Sequence, residues 1–429
     1  MSSHTITAIL PRLPRWLLCA ITLTVGLLFA APAAASDPPW MTGESQPEDL
    51  KIKLVTFSPG DEIVAWFGHT ALVVEDTRLN HSRLYNYGMF SFGDGMLLKF
   101  AMGRLWFWVG EAPEYRTYEL YKRMNRDVRI LELNLEPDER QKMATFLGTD
   151  VLPENREYLY HHYDDNCSTR IRDAIDDAVD GQFEEATSHT SDQTFRDHTR
   201  RHSMHNPPME MLLMFWMNDD IDEPIQRWDD MFLPEELEEA VKDLEYTNSA
   251  GEAVPLVKEE RIYYESDREP VPDQPSTRWP WALLVGLGLG AAGVGLGWRY
   301  FEQKTRARRI GFGLYNALIG LMVGIPGLAL FIMSTVTDHE VTYWNENLLL
   351  GNPLTLLVAP LGLALAFGST RAEGWLRYLW MGLAGLGLLL VPLKLLPAFD
   401  QDNLLPMVWI LPILVGVGFV WWWGGRGEE

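Results

Sequence analysis

The sequence predicts a two-part protein, in which an exported α+β domain precedes an α-helical membrane domain of five spans. Charge is the first indication, because residues 279–429 carry 9 Lys/Arg and 9 Asp/Glu, so the whole net charge of −23 falls on the residues before them. An apolar segment at the N-terminus and five apolar stretches near the C-terminus are the second and third indications. An acidic domain without a basic patch argues against a nucleic-acid partner.

Residues 1–35 are typical of a secretory signal peptide. Arginines precede an apolar run and a stretch of small residues, which offers a cleavage site after Ala35. An uncleaved membrane anchor is the alternative. Cys19 lies inside this segment, so cleavage would leave Cys167 as the only cysteine, without a partner for an internal disulfide.

Residues 36–246 are predicted to form the exported domain, which combines short strands with helices. Alternating and β-branched residues predict four strands, at Lys53–Phe57, Gly68–Glu75, Arg83–Phe90 and Asp127–Leu135. Helical spacing and start signals predict helices over Pro137–Leu147 and Ser168–Val179. Residues 192–245 are predicted to be mainly helical. The fold class is therefore α+β with a small, antiparallel sheet.

Residues 247–278 are rich in Pro, Ser and charge and are predicted to be a semi-flexible linker, which leads into the membrane domain at residues 279–429. Five stretches there each approach the ~20 residues that span a bilayer. They are Trp279–Trp298, Ile310–Thr335, Leu348–Gly368, Trp375–Ala398 and Leu404–Trp423. Basic loops alternate with acidic ones, so the positive-inside rule places residues 36–278 outside and the C-terminus in the cytoplasm.

The segment 161–170, HHYDDNCSTR, contains the candidate nucleophile. Cys167 begins a predicted helix, whose free N–H groups and dipole favour a thiolate and can receive an oxyanion. His69 begins a strand and is the candidate base, and Asn86 on the next strand is the candidate to orient its ring, with His81 as a rival. The alternatives are an inert buried thiol, a core histidine and a solvent-facing asparagine.

Histidine spacing offers a competing chemistry, in which the site holds a metal ion. His198, His202 and His205 share one face of a predicted helix, a spacing that suits zinc. No cysteine or obvious carboxylate completes this set, and the neighbouring arginines oppose a cation. The adjacent His161 and His162 cannot easily reach one ion together. Structural or solvated histidines are therefore favoured, and neither a metal nor a cofactor is predicted.

Further polar residues are candidates for substrate binding. Asn166 and Arg170 flank Cys167. The outward loop between the second and third spans adds His339, Asn345, Asn347 and Asn352. Asparagine is costly in hydrocarbon unless it is paired, so this loop is predicted to hold a lipid headgroup or an acceptor's N-terminus. The alternative is that these asparagines cap the third membrane helix.

The stretches FGHTALVVED, YNYGMFSF and YHHYDDNCSTRIRDAI together resemble a bacterial family, the Lnb N-terminal periplasmic domain, which is associated with lipoprotein N-acyltransferase. The resemblance covers roughly residues 45–250, and HEVTYWNENLLLGNPL in the membrane half is similar more loosely. It implies a circularly permuted papain-like fold, related to NlpC-type peptidases and the lecithin:retinol acyltransferase group. Carried over to this chain, it implies Cys167 as nucleophile and His69 as base. Asn86 rests on the strand pattern alone.

The resemblance also implies a function, namely a membrane-bound transfer of a fatty acyl chain. A phospholipid would donate the chain, Cys167 would carry it as a thioester, and the N-terminal amine of a lipoprotein would accept it. The site would lie in the periplasm, at the bacterial inner membrane. Two alternatives stay open: a periplasmic Cys–His amidase or peptidase acting on cell-wall or peptide substrates, and a non-catalytic membrane-anchored binding protein. The membrane half favours the transferase, since a wall hydrolase needs only one anchor.

Overall fold

The computed structural model describes residues 37–90 and 95–427 of the chain. The predicted signal peptide, with Cys19, lies outside the described residues. An α+β domain built on a seven-stranded sheet comes first, and a bundle of long apolar helices follows it. The predicted order of an α+β domain and a helical membrane region is therefore confirmed.

The strands of the first domain pair antiparallel in one large sheet and one small hairpin. The large sheet contains β1 (Leu50–Phe57), β2 (His69–Asp76), β3 (His81–Met89), β4 (Trp106–Ala112), β5 (Val128–Leu133), β6 (Glu157–Leu159) and β9 (Val257–Tyr264). Their order across the sheet is β6-β4-β3-β2-β1-β5-β9. The hairpin pairs β7 (Glu245–Thr247) with β8 (Ala253–Pro255).

Helices cover both faces of the large sheet. Those of the first domain are α1 (Pro39–Thr42), α2 (Met96–Ala101), α3 (Glu114–Arg123), α4 (Pro137–Asp150), α5 (Cys167–Ala178), α6 (Gln182–Thr187), α7 (Phe195–Ser203), α8 (Pro207–Trp216), α9 (Arg227–Asp230) and α10 (Pro234–Asp243). Ile52 and Leu54 of β1 share a core with α4, α5 and α10. Val55 and Phe57 point the other way and pack with Tyr118 of α3. Side chains alternate along a strand, so burial on both faces explains the apolar character of β1 and β2.

The prediction that residues 247–278 form a linker is wrong for the first half of that segment. Strand β9 lies inside it and pairs with β5, so it forms the edge of the large sheet. Its polar residues are largely solvent-exposed, and its pairing relies on backbone groups, so no apolar pattern marks it as a strand. The second half of the segment also contacts the first domain, since Arg268 forms a salt bridge with Asp61.

Six helices build the membrane region. They are α11 (Trp279–Glu302), α12 (Arg306–Val336), α13 (Pro353–Leu356), α14 (Val358–Ala366), α15 (Thr370–Leu393) and α16 (Leu404–Gly424). Four of them, α11, α12, α15 and α16, are long and apolar enough to cross a membrane. The remaining predicted span is a bent pair, in which residues 340–349 meet residues 353–366 at 61°. Four continuous spans and one broken span thus replace the five expected continuous helices.

The break lies at Gly351-Asn352-Pro353, where Pro353 offers no N–H and Asn352 caps the new helix through the Leu354 N–H. The broken segment still runs from one end of the bundle to the other. Asn347, at its start, bonds to the first domain, and Gly368, just after it, lies beside Arg309 at the opposite end. The bundle thus has four continuous candidate spans, and a fifth where the bent pair is counted as one.

A buried polar hub joins the two parts of the chain. Asn345 and Asn347 donate to the backbone oxygens of Trp216 and Phe215, at the C-terminus of α8. Beside them, buried Glu346 forms a salt bridge with Lys394 (2.9 Å) and accepts hydrogen bonds from the Gln401 N–H and the Asn403 side chain. Helix α8 itself packs among the membrane helices α11, α12 and α16, where a largely apolar cavity of about 430 Å³ remains. The first domain is therefore fixed to the bundle.

Candidate active site

Cys167 is the first residue of α5, and its placement depends on Asn166. The Asn166 side-chain oxygen accepts hydrogen bonds from the N–H groups of Ser168 (2.7 Å) and Thr169 (3.1 Å), which caps the helix. The Asn166 amide nitrogen donates to the backbone oxygens of His162 and Phe232. The buried asparagine thus fixes the turn before Cys167 and leaves the thiol half-buried at the helix N-terminus.

His69 lies next to Cys167, and Gly88 of β3 separates them. Gly88 has φ +85°, and a Cβ placed on it would lie 3.7 Å from Cys167 Cβ and 3.8 Å from His69 Cε1. The thiol-bearing carbon and the imidazole are therefore no farther apart than the sum of these two distances. A side chain at position 88 would be strained and would crowd both groups, which is a physical reason for glycine there.

Asn86 orients the His69 ring. Asn86 Oδ1 lies 2.6 Å from His69 Nε2, which carries the donated proton because the amide oxygen only accepts. Nδ1 is then the free, basic nitrogen of the ring. The ring is also stacked with Phe57 and Tyr121, at centroid distances of 6.0 and 6.2 Å. The three predicted residues Cys167, His69 and Asn86 thus meet in one place, in the order that a nucleophile, a base and its orienting group require.

Burial sets the resting protonation of the pair. It lowers the pKa of His69 to about 4, which the hydrogen bond to Asn86 opposes and the charge of Arg126 assists. It raises the pKa of Cys167 above its ordinary value, although the N–H groups of Thr70, Cys167 and Ser168 favour the thiolate. The sequence predicted a resting thiolate. The structure instead favours a neutral thiol beside a neutral imidazole, because desolvation outweighs the stabilisation of the thiolate by the helix N-terminus.

Arg126 and Tyr160 are site residues that the sequence analysis did not identify. Buried Arg126 donates to the backbone oxygen of Ser58 and stacks on Tyr121, and its charge reaches both His69 and Cys167. The Tyr160 hydroxyl bonds to His162 Nδ1 (3.2 Å). Its pKa is raised, first by burial and then by the nearby Cys167. Arg126 lies in a turn and Tyr160 in a short connection, so no periodic pattern points to either.

The predicted substrate-binding residues are engaged elsewhere within the protein. Asn166 caps α5, and Arg170 forms a two-pronged salt bridge with Asp165 and lies over the Tyr158 ring. In the outward loop, His339 bonds to Thr337 (2.7 Å). The three asparagines of this loop serve the hub or cap a helix: Asn345, Asn347 and Asn352. Asn166 thus adjoins Cys167, whereas the loop residues are held by hydrogen bonds within the protein.

His198 and His202 of α7, and His205 just beyond its end, form hydrogen bonds or ring contacts with neighbouring side chains. His198 Nε2 lies 2.7 Å from Asp230, and His202 Nε2 lies 3.1 Å from Glu235. His205 contacts the Trp66 ring. Within residues 37–90 and 95–427, no three His, Cys, Asp or Glu side chains are grouped as a metal ion requires.

Comparisons with known families match both parts of the chain. Residues 36–201 match the Lnb N-terminal periplasmic domain, and residues 300–421 match the Lnb transmembrane domain. No curated protein and no solved structure matches the chain. The two matched domains stand in the order of the α+β domain and the helical bundle. The chain therefore belongs to the Lnb family and is a membrane protein with a periplasmic N-terminal domain.

Proposed function

We propose that this protein is a cysteine-dependent acyltransferase of the bacterial inner membrane. It moves a fatty acyl chain from a phospholipid, through a Cys167 thioester, to the N-terminal amine of a lipoprotein. The observation that carries the proposal is the meeting of Cys167, His69 and Asn86 at the N-terminus of α5, in a domain fixed to a membrane bundle. The basic loops support a cytoplasmic C-terminus.

The first half-reaction forms the thioester. His69 Nδ1 takes the thiol proton as the Cys167 sulfur attacks the ester carbonyl of the phospholipid. We assign the oxyanion to the backbone N–H of Cys167, since the N–H groups of Ser168 and Thr169 already donate to Asn166. The ester C–O bond then breaks, the leaving alkoxide takes the proton back from His69, and a lysophospholipid departs.

The second half-reaction forms an amide. The neutral α-amine of the lipoprotein attacks the thioester carbonyl, and His69 accepts a proton from the attacking nitrogen. The C–S bond breaks and the sulfur regains that proton, which restores the neutral pair. A base with a lowered pKa stays unprotonated at neutral pH and is ready for both steps.

The membrane attachment supports a lipid substrate over a soluble one. The candidate membrane spans and the buried hub fix the domain that carries the site to the bundle, which supports substrates that reside in the bilayer. A cell-wall amidase would gain nothing from such a fixed position. The site geometry also supports the papain-like, permuted fold, since the histidine strand precedes the cysteine helix along the chain.

Mass spectrometry of Cys167 tests the proposal. The full chain, reconstituted in phospholipid vesicles, should carry one fatty acyl group on Cys167, which hydroxylamine removes. A synthetic S-diacylglyceryl-cysteine peptide with a free N-terminus should then become N-acylated. The matched variant Cys167→Ser keeps the packing but replaces the thiol with a much weaker nucleophile, and it should yield neither product.

Each of the other outcomes points to a different function. Free fatty acid without acylated peptide would indicate a hydrolase, because water rather than the amine resolves the thioester. An unmodified Cys167, together with full biological activity of Cys167→Ala, would indicate a non-catalytic binding protein.

A further inference from the structure

Helix α2 is a short apolar helix that no part of the described protein covers. Four consecutive residues, 98–101, are exposed, and they include Leu98 (68 % exposed) and Phe100 (53 %). Residues two apart lie on nearly opposite sides of a helix, so large apolar side chains leave more than one face of α2. Leu98 and Phe100 therefore form an exposed apolar patch beside Lys99, and such patches mark surfaces that contact other proteins or a membrane.

The residues that follow α2 contact the loop at the end of α12. Directly after the helix, the backbone oxygen of Met102 accepts a hydrogen bond from the Asp338 N–H (2.9 Å), and Arg104 forms a salt bridge with the Asp338 side chain (2.6 Å). Gly103 fits so closely that a Cβ there would lie 2.7 Å from the Asp338 backbone. Asp338 stands two residues beyond the end of α12 at Val336.

The lipid-facing surface of α12 continues into α2. Ile332 and Val336 are exposed near the end of α12, as side chains that face acyl chains are. Beyond Asp338, the exposed apolar groups include Trp344 of the same loop and those of α2, and Trp106 of β4 is exposed beside its cross-strand partner Leu159 of β6. The covering surface that fits this continuity is the leaflet of the bilayer that adjoins the periplasmic domain.

An apolar path leads from this surface to the thiol. Phe107 follows Trp106 and faces the other side of β4, where its ring lies 4.4 Å from the Tyr160 ring, centroid to centroid. Phe107, Tyr160 and Cys167 also pack against the same hydrophobic core. An acyl chain that enters beside Trp106 would therefore follow aromatic side chains to the nucleophile.

We propose that α2, Trp106 and Leu159 insert into the adjoining leaflet and guide a phospholipid acyl chain from it to Cys167. The proposal that these residues insert into the bilayer is argued only from the exposure and contacts described above. The guiding role rests on the proposed acyltransferase function, so the two parts are tested separately.

Depth-dependent fluorescence quenching tests the insertion. In a Cys19→Ser, Cys167→Ser background, Leu98→Cys is labelled with an environment-sensitive fluorophore, and the full chain is reconstituted in vesicles that contain nitroxide-labelled phospholipids. The label should be quenched by nitroxides on the acyl chains. Ile262→Cys is the matched control, because Ile262 is similarly exposed (55 %) but lies on β9, at the opposite edge of the sheet from β4 and β6. An unquenched label at position 98 would overturn the proposal.

Two acyl donors test the guiding role. Leu98→Ser/Phe100→Ser should form the Cys167 thioester from vesicle phospholipid at least about tenfold more slowly than the parent protein, because two large apolar side chains no longer enter lipid. Acylation by a soluble short-chain p-nitrophenyl ester should be unchanged, which shows that the fold and the thiol are intact. Ile262→Ser should match the parent with both donors.

The remaining outcomes separate the two proposals. Equal rates of the double variant and the parent with vesicle phospholipid, or an equal loss with both donors, would overturn the guiding role. A parent protein that forms no thioester from any phospholipid would refute the acyltransferase proposal, whereas quenching at position 98 would still establish the insertion.

Discussion

Asn86 Oδ1 lies 2.6 Å from His69 Nε2, and this contact joins two neighbouring strands of the sheet at the side of Cys167. It fixes both the orientation and the tautomer of the imidazole, because an amide oxygen can only accept. The basic nitrogen Nδ1 is thereby left free. Without Asn86 the ring could rotate or exchange its proton between the two nitrogens.

The first prediction concerns this contact. Asn86→Ala should slow Cys167 acylation by about tenfold to a hundredfold, a smaller loss than that of the base itself, which contributes about 10² to 10⁴. The rate is measured with a soluble activated ester, followed by mass spectrometry. Asn134→Ala is the control, since Asn134 bonds to a backbone oxygen at the surface. An unchanged rate in Asn86→Ala would remove Asn86 from the mechanism.

The second prediction concerns pH. Burial lowers the pKa of His69 to about 4, so His69 should stay unprotonated, and able to act as a base, well below pH 6.5. The acid limb of kcat/KM for acylation should therefore fall near pH 4 to 5, as the pKa of about 4 directs. Arg126→Met removes a nearby positive charge and should move this limb to higher pH. A limb at 6.5 in the parent protein would contradict the assignment of His69.

The third prediction links pH to stability through His162. Burial lowers the pKa of His162 to about 3, so the folded state binds fewer protons than the unfolded chain between about pH 3 and 6.5. Stability should thus fall as pH falls through this range. His162→Leu should flatten the dependence of Tm on pH, measured in detergent, while the exposed His189→Gln should not. An unaltered slope in His162→Leu would count against a buried neutral imidazole.

The fourth prediction concerns the hub. Glu346→Ala leaves partly exposed Lys394 without its carboxylate and removes the acceptor of the Gln401 and Asn403 hydrogen bonds, and should destabilise the folded protein by about 1 to 3 kcal/mol. Glu346→Ala/Lys394→Met removes both charges and should recover much of this loss, and Lys394→Met is the second single variant. Thermal unfolding of the four proteins, parent, two single variants and double variant, gives the coupling energy. Additive effects would show that the pair does not act as a unit.

Local sequence signals predicted much of the sheet and of the site. Strands β1, β2, β3 and β5 carry apolar or alternating residues because at least one face of each is buried, so their patterns are visible. Strand β9 was not predicted. It is an edge strand with largely exposed residues and needs only backbone partners, so its sequence shows no apolar pattern. The break before Pro353 was missed because the surrounding residues are apolar enough for a continuous span.

The chemistry of the site was predicted less completely than its residues. A cysteine at a helix start and a histidine at a strand start are local features. Their resting charges are not, because these depend on how much water the assembled core removes and on Arg126, which tertiary structure brings near. The polar loop residues Asn345 and Asn347 similarly have partners more than a hundred residues away.

Because β9 pairs with the large sheet, the choice of fragment boundaries in this family affects whether the first domain can fold. The match to the N-terminal domain ends at residue 201, before α10 and β9 are complete. A fragment cut there would lose α10 from its core and would expose the edge of β5, an open template for aggregation. A fragment extended to residue 278 would regain both elements but uncover the apolar side of α8. The whole chain is therefore the smallest unit on which biochemical measurements of this site are meaningful.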